Sequence, residues 1–292
     1  MKIAILLTCF NRRSVTIRCL NSLQLIEYPE GVSVEVFLAD DRSPDGTASV
    51  VARMFPATHI IEGSGRDYWA GGMRRSFAAA LNVGFDFYLW LNDDTLLTND
   101  AISRLLSAAL LAEHSADNGA IVVGSISSAS GALITYGGVN FPIWWRRTTP
   151  TIVYSDMDTV RCESFNGNCV LISSKAASIV GNLDPVFTHG LADFDYGLRA
   201  SKLGVKLLVV AGIVGVCDRN PREGTYLDNK LSLAKRWRIV RSDKGYPPHP
   251  WAVYTRRHCG KLWILNWAIP YIRAIVAPTM KRNSPAVEKV SK

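Results

Sequence analysis

The alternation of strand-like and helix-like stretches constrains this chain most. Residues 2–7, 34–38, 59–61, 87–91 and 120–124 are short apolar runs that read as strands. Between them, residues 14–25, 47–55, 73–83 and 99–113 carry apolar side chains at helical spacing. Ser14 is placed to cap the first of these helices, and Leu105, Leu106 and Leu110 share one side of the last. Strands alternating with such helices form βαβ units, which predict an α/β fold with a mostly parallel sheet flanked by helices. In such sheets ligands bind beyond the carboxyl ends of the strands. Three polar clusters fall there: Thr8-Cys9-Phe10-Asn11-Arg12, Asp40-Asp41 and Asn92-Asp93-Asp94. One site built from all three is therefore the geometric expectation.

The second half is less regular. Residues 132–145 are rich in glycine and aromatics, and Phe165-Asn166-Gly167-Asn168 leads into an apolar strand. Residues 191–203 read as a helix entered through Asp193-Phe194-Asp195, and 205–216 as a buried strand. Residues 251–277 look helical, with a kink at Pro270, since proline lacks the N–H that the helix ladder needs. Polar residues 281–292 are expected to fray.

Composition narrows the class. Of the 292 residues 48% are hydrophobic and 20% charged, enough apolar matter for a full core. The six cysteines make no C-x-x-C pair, which excludes the usual zinc-site spacing and favours small buried thiols in a reducing compartment. The apolar start is too short for a signal peptide and has no small-residue cleavage site. No window holds the roughly 20 uninterrupted apolar residues of a membrane span; the nearest, 262–280, contains Asn266, Pro270, Arg273 and Pro278. The net charge is +8, but residues 230–292 hold 14 Lys and Arg against 2 Asp and Glu, while the rest hold 19 against 23. A basic end on an acidic body suggests an anionic surface as partner.

Each polar cluster admits a chemical and a plain reading. Two carboxylates and an amide at Asn92-Asp93-Asp94 suit a hard cation such as Mg²⁺ or Mn²⁺ that also binds a diphosphate; the alternative is a helix cap. Asp40-Asp41 could meet a base edge and ribose hydroxyls, or form a turn with the N-cap at Asp45-Gly46-Thr47. Asp195 and Arg199 are four apart and can pair on one helix face. That leaves Asp193 free to act as general base on an acceptor hydroxyl, or merely to cap the helix. The run Gly63-Ser64-Gly65-Arg66-Asp67-Tyr68-Trp69-Ala70-Gly71-Gly72 is neither a P-loop nor a dinucleotide fingerprint. It could let a nucleotide approach the backbone, or be a flexible turn. Arg12, Arg74 and Arg75 could contact a diphosphate, or lie on the surface. The five histidines show no metal-binding spacing.

Taken in order, these motifs resemble the inverting family 2 glycosyltransferases, which have the GT-A fold. The resemblance runs from Thr8-x-Phe10-Asn11-Arg12 through Ala39-Asp40-Asp41-x-Ser43-x-Asp45-Gly46-Thr47 to Asn92-Asp93-Asp94. It continues with Phe165-Asn166-Gly167 and Asp193-x-Asp195-Tyr196-x-x-Arg199 with Gly204 beyond, covering about residues 2–217. The resemblance implies Asp41 at the nucleobase with Asp40 beside it, and Asp94 as main metal carboxylate with Asn92 at the motif's first position. It further implies Asp193 as catalytic base, Asp195 and Arg199 as its supports, and Gly167 as a close-approach position near donor and acceptor. Donor contacts are expected from Thr8, Phe10, Asn11, Arg12, Asp40, Asp41, Gly71, Gly72, Arg74, Asp93 and Gly167. Two departures stand out: Asn92 where relatives carry Asp, and Gly215-Val216-Cys217-Asp218-Arg219 where many relatives place a metal-binding His, with Asp218 as a candidate substitute. More narrowly, Tyr68-Trp69-Ala70-Gly71-Gly72 and Arg219-Asn220-Pro221-x-x-Gly224-Thr225 resemble a bacterial branch with rhamnosyl- and galactofuranosyltransferases, which build cell-envelope polysaccharides.

The expected organisation is a catalytic domain over residues 1–220, a basic, Trp-rich helical extension over 221–280 and a disordered tail over 281–292. The expected partners are a nucleotide-sugar donor, a glycan or lipid-linked saccharide acceptor, and an anionic membrane surface met by the C-terminal region. That region could instead be a core-packing helix with a solvated basic face. Nucleic acid is not expected, because no recognition motif accompanies the charge. The expected location is cytoplasmic, at the inner face of the cell membrane. Rival functions are a sugar-phosphate nucleotidyltransferase, which the lack of a Gly-rich basic loop after the first strand disfavours, and a non-catalytic nucleotide-sugar-binding protein.

Overall fold

A computed structural model describes residues 1–114, 116–219, 224–228 and 230–276. The first half runs β1 (Lys2–Cys9), α1 (Arg13–Gln24), β2 (Ser33–Asp40), α2 (Thr47–Met54), β3 (His59–Glu62), α3 (Tyr68–Val83), β4 (Phe87–Leu91), β5 (Leu96–Leu97), α4 (Ala101–Glu113) and β6 (Ala120–Ser127). Next come β7 (Ile134–Tyr136), β8 (Gly138–Asn140), β9 (Thr151–Val153), β10 (Val160–Arg161), β11 (Ser164–Phe165) and β12 (Cys169–Ser173). The chain continues with α5 (Ser174–Val180), α6 (Ala192–Lys202), β13 (Lys206–Val216), α7 (Leu233–Val240), α8 (Pro248–His258) and α9 (Trp263–Val276).

The main sheet has the order β10-β13-β6-β12-β4-β1-β2-β3. Strands β3, β2, β1 and β4 are mutually parallel, β6 is parallel to β13, and β12 runs antiparallel between β4 and β6. A separate small sheet has the order β11-β8-β9. Helices cover both faces, so the central strands are apolar on both sides. On β1, Ile3, Ile5 and Leu7 join one core with Leu20 of α1 and Leu105 of α4. Ala4 and Leu6 join the other, with Phe77 of α3, Tyr196 of α6 and Trp251 of α8. The six cysteines are buried and unpaired.

The structure corrects several boundaries. Helix α1 starts at Arg13, and its cap position, Arg12, makes no side-chain cap bond, so Ser14 lies inside the helix. Leu110 is exposed while Leu105 and Leu106 are buried. The helix expected from residue 73 begins five residues earlier, with the glycine pair inside it. The C-terminal helix is broken at Gly260 (φ 58°), whereas Pro270 sits within α9. Trp251 and Tyr254 of α8 belong to the main core, so this extension covers the sheet's own helical layer. Asn220-Pro221 and the tail 281–292 lie outside the described residues.

Candidate active site

Because β2, β1 and β4 are adjacent and parallel, their carboxyl ends bring the three polar clusters together. Asn11 turns the chain off β1 at φ 52°, and its N–H donates to Ser43 Oγ at 2.9 Å. The Arg12 guanidinium then crosses to the end of β4, 3.1 Å from Asp93 Oδ1 and 2.5 Å from Asp94 Oδ2. Asp93 is buried and also accepts from Thr16 Oγ1 at 2.9 Å. Burial pushes its carboxyl up to about 6, with the Asp94 charge adding and Arg12 opposing. The Asp94 side chain keeps 21% exposure, the more open of the two carboxylates.

Asp40 and Asp41 are buried and tied inward. Asp40 accepts from the Ser43 hydroxyl and from Ser43 N–H at 3.2 Å. Asp41 accepts from the N–H groups of Gly65 (2.6 Å), Asp67 (2.9 Å) and Tyr68 (3.2 Å), and so fixes the loop that opens α3. A carboxylate held by three backbone donors is both satisfied and rigid.

Asp193 lies in the first turn of α6, reached through Leu191 at φ 73°. Its Oδ2 accepts from Gly167 N–H at 3.1 Å and its Oδ1 from Phe194 N–H at 2.9 Å. Desolvation pushes this carboxyl up to about 6 against those bonds. The neighbouring Asp195 is fully buried and holds Arg199 Nε at 2.8 Å, Arg257 at 2.7 Å and His258 Nε2 at 2.8 Å. Burial alone would raise the Asp195 pKa, but the His258 and Arg199 bonds outweigh it and hold it below the ordinary value.

The sequence profile of glycosyl transferase family 2 matches residues 4–169, more than half of the chain. The chain belongs to this family. Solved structures with the same architecture include a mannosyltransferase from Pyrobaculum calidifontis in complex with GDP-Man and Mn²⁺. It is 15% identical with a TM-score of 0.54, over 94% of this chain and 71% of that one. Another is Staphylococcus aureus TarS 1-349 in complex with UDP-GlcNAc, 12% identical with a TM-score of 0.54, over 94% of this chain and 82% of that one. No curated protein matched the sequence. The protein is thus a family 2 glycosyltransferase with a GT-A-like fold.

Within this family 2 frame, several positions differ in detail from the sequence reading. Gly71 and Gly72 are buried inside α3, where the sequence reading placed them in a loop before the helix. A side chain at Gly72 would strike Thr8, with its Cβ 2.8 Å from Thr8 Cβ, and one at Gly71 would lie 2.9 Å from Asp67 Cβ. Gly72 lets α3 approach β1, and Gly71 leaves room for Asp67 at the start of the helix itself. Thr8 is accordingly buried, whereas Phe10 is exposed. Arg74 reaches the Phe187 carbonyl at 3.5 Å, and Arg75 pairs with Asp67 at 2.6 Å. Asp218 is exposed and accepts from Ala129 N–H at 2.9 Å. Beside Asp94 stands Cys217 instead, whose thiol donates to Asp94 Oδ1 at 3.4 Å. Sequence reasoning also missed Trp69 as a site residue. Its indole Nε1–H donates to Asn92 Oδ1 at 2.8 Å. Its aromatic character beside a glycine pair was the available signal.

The fit to a divalent cation can be tested on the donor chemistry. No group of three or more His, Cys, Asp or Glu able to hold a metal occurs among the described residues. The hard oxygens of Asp94, with Asp93 behind, match an ion that takes one or two carboxylates and completes its shell with diphosphate oxygens and water. Mg²⁺ and Mn²⁺ fit that description, and Asp94 is the carboxylate that could hold such an ion.

Proposed function

We propose that this enzyme moves a sugar from a nucleoside diphosphate donor to a hydroxyl of a cell-surface glycan or polyprenyl-linked acceptor, with inversion at the anomeric carbon. The observation that carries the reading is Asp193, half-buried at the start of α6 and held by backbone N–H groups on both oxygens. No basic side chain pairs with it among its hydrogen-bond partners. A carboxylate raised to about 6 and still ionised at neutral pH is a suitable proton acceptor. Asp193 takes the acceptor proton, the acceptor oxygen bonds to the anomeric carbon, and the glycosyl–phosphate bond breaks on the opposite face. A Mg²⁺ or Mn²⁺ ion bound at Asp94 would supply positive charge for the departing diphosphate. Arg12, already beside Asp93 and Asp94, adds charge at the same place. Rhamnose or galactofuranose as the donor sugar rests on the resemblance of the run Tyr68 to Gly72 to the rhamnosyl- and galactofuranosyltransferase branch. The decisive experiment is Asp193→Asn. Transfer should vanish while metal-dependent thermal stabilisation by UDP-, dTDP- or GDP-sugars persists; comparable turnover would remove Asp193 from the role.

The membrane part of the reading is supported by α9. Its inward face carries Asn266, Pro270, Tyr271 and Ala274, whereas Leu265, Ile272 and Val276 are exposed at spacings of seven and four, with Ile269 between them. No helix among the described residues is long and apolar enough to cross a membrane. An outward apolar stripe on a short helix suits a seat within the lipid interface. The described residues of 230–276 carry ten Lys and Arg and one acidic residue, Asp243; anionic lipid contributes ~1 kcal/mol per basic residue near its surface, which leaves out the buried Arg236 and the ion-paired Arg257. Flotation with phosphatidylglycerol vesicles at low salt should retain the protein, and Ile272→Glu should release it. Failure to float at low salt, or self-association through this face, would end the idea.

A further inference from the structure

We propose that Trp69 is a positioning residue that ties Asn92 to the base Asp193, and that Asn92 serves this tie rather than the metal ion. The inference rests on the reading of Asp193 as base. Three contacts define the position of the Trp69 ring. Its Nε1–H donates to Asn92 Oδ1 at 2.8 Å. Trp90 stands edge-on behind it, with ring centroids 6.2 Å apart at 74°. On its far side the six-membered ring lies against Gly167, where an added Cβ would meet Trp69 Cη2 at 2.5 Å. That same Cβ position lies 3.5 Å from Asp193 Cβ. Only glycine lets the indole seat on this loop, and the seated loop presents the Gly167 N–H to Asp193 Oδ2.

The tie also accounts for the amide at the first position of the metal motif. An indole N–H is a donor only and needs an acceptor. The Asn92 oxygen is the one side-chain atom of that residue able to bind a hard cation, and here Trp69 takes one of its two acceptor positions. An aspartate would accept the same bond but would add a third carboxylate beside Asp93 and Asp94. Asparagine supplies the acceptor without that charge. Trp69 is also only half-buried, unlike Trp90 and Trp251, which fill the core. Its position at the rim between two functional groups is what a core tryptophan lacks.

The test uses the full chain with Mn²⁺ and whichever of the UDP-, dTDP- and GDP-sugars stabilises it against heat, scored by turnover of that donor. Trp69→Phe keeps an aromatic side chain but removes the N–H together with the six-membered ring that lies against Gly167; Asn92→Leu keeps the shape and removes the acceptor; Asn92→Asp keeps the acceptor. Mn²⁺ affinity is read without substrate, from the electron paramagnetic resonance signal of the free ion. Trp69→Phe and Asn92→Leu should lower kcat alike, by about ten- to a hundredfold, as misplacement of a reacting group does. Donor KM and Mn²⁺ Kd should stay within about twofold. The double variant should be no worse than either single one, because both break the same bond, and Asn92→Asp should recover most of the rate lost in Asn92→Leu. If Asn92→Leu weakens Mn²⁺ binding about tenfold while Trp69→Phe does not, Asn92 is a ligand and the proposal falls. If Trp69→Phe turns over like the wild type, the tie is not used, and this comparison stands even if Asn92→Leu does not fold. An active Asp193→Asn would instead overturn the underlying function, so the two failures are distinguishable.

Discussion

Gly167 donates its backbone N–H to Asp193 Oδ2 at 3.1 Å while the Trp69 ring occupies the space where a side chain at Gly167 would lie. One residue thus serves two contacts that both exclude a Cβ or depend on the loop staying in place. Gly167→Ala should displace either the indole or the loop. A loss of about a hundredfold in kcat is expected from a shift of roughly 1 Å, with a lowered melting temperature as well, because Gly167 is buried between Phe165 and Asn168 and a methyl there overpacks the site. Steady-state kinetics beside a thermal melt separates the two effects; wild-type kcat would show that the loop can shift without consequence.

Activity should fall on the acid side of about pH 6. Asp193 acts as a base only when ionised, and desolvation raises its pKa to about 6 from the ordinary carboxyl range near 4. The raised pKa moves the acid limb of kcat/KM upward, so rate is lost as pH drops through about 6 rather than about 4. Asp93 is pushed into the same range by burial, with the Asp94 charge adding. The profile should therefore be measured on Asp93→Asn as well. A limb that persists there belongs to Asp193; one that disappears assigns the titration to Asp93.

Asp195 joins two segments far apart in the chain, since Arg199 is on its own helix and Arg257 and His258 come from α8. Lys202 Nζ contacts His258 Nδ1 at 3.3 Å, which leaves the imidazole proton on Nε2 for Asp195. Asp195→Ala removes the buried partner shared by Arg199, Arg257 and His258, although Arg257 keeps Asp184 and Arg199 keeps two backbone carbonyls, so the cost should lie at the lower end of the about 3–5 kcal/mol for breaking a buried pair. The melting temperature should drop on the order of 10 °C. The Asp195 pKa is depressed in the folded state, so its stabilisation is present above the unfolded carboxyl value of about 3.9. It is lost as pH falls through the still lower folded value. Differential scanning calorimetry of both proteins at neutral pH and near pH 3 should therefore show the gap narrowing in acid.

Much of this site was legible because its parts are local. Strand ends followed by Asp40-Asp41 and Asn92-Asp93-Asp94 announce themselves, and Asp195 with Arg199 obeys helical spacing. What stayed hidden depends on partners distant in sequence. Nothing local in Asn92 reveals that its oxygen meets Trp69, and Arg257 and His258 lie more than sixty residues from Asp195. The Gly71-Gly72 pair misled because glycine disfavours helices, whereas here the close approach to Thr8 overrides that preference. A kink at Pro270 was the expected irregularity, but the chain instead breaks at Gly260, just after α8 ends.

The last prediction concerns that approach of α3 to β1. A side chain at Gly72 would place its Cβ 2.8 Å from Thr8 Cβ and closer still to the Thr8 hydroxyl. Gly72→Ala gains up to ~1 kcal/mol of helix propensity but forces the helix off the strand, at about 1–3 kcal/mol for overpacking. A net loss of stability is expected. Thr8→Ala should recover only part of it, because removing the hydroxyl leaves the Cβ contact in place. A double-mutant cycle by urea denaturation measures that coupling. Activity should suffer more than stability, since Trp69 lies three residues before Gly72 on the same helix, and lifting the helix carries the indole away from Asn92 and Gly167. If Gly72→Ala melts and turns over like the wild type, the glycine is not what sets the distance between helix and strand.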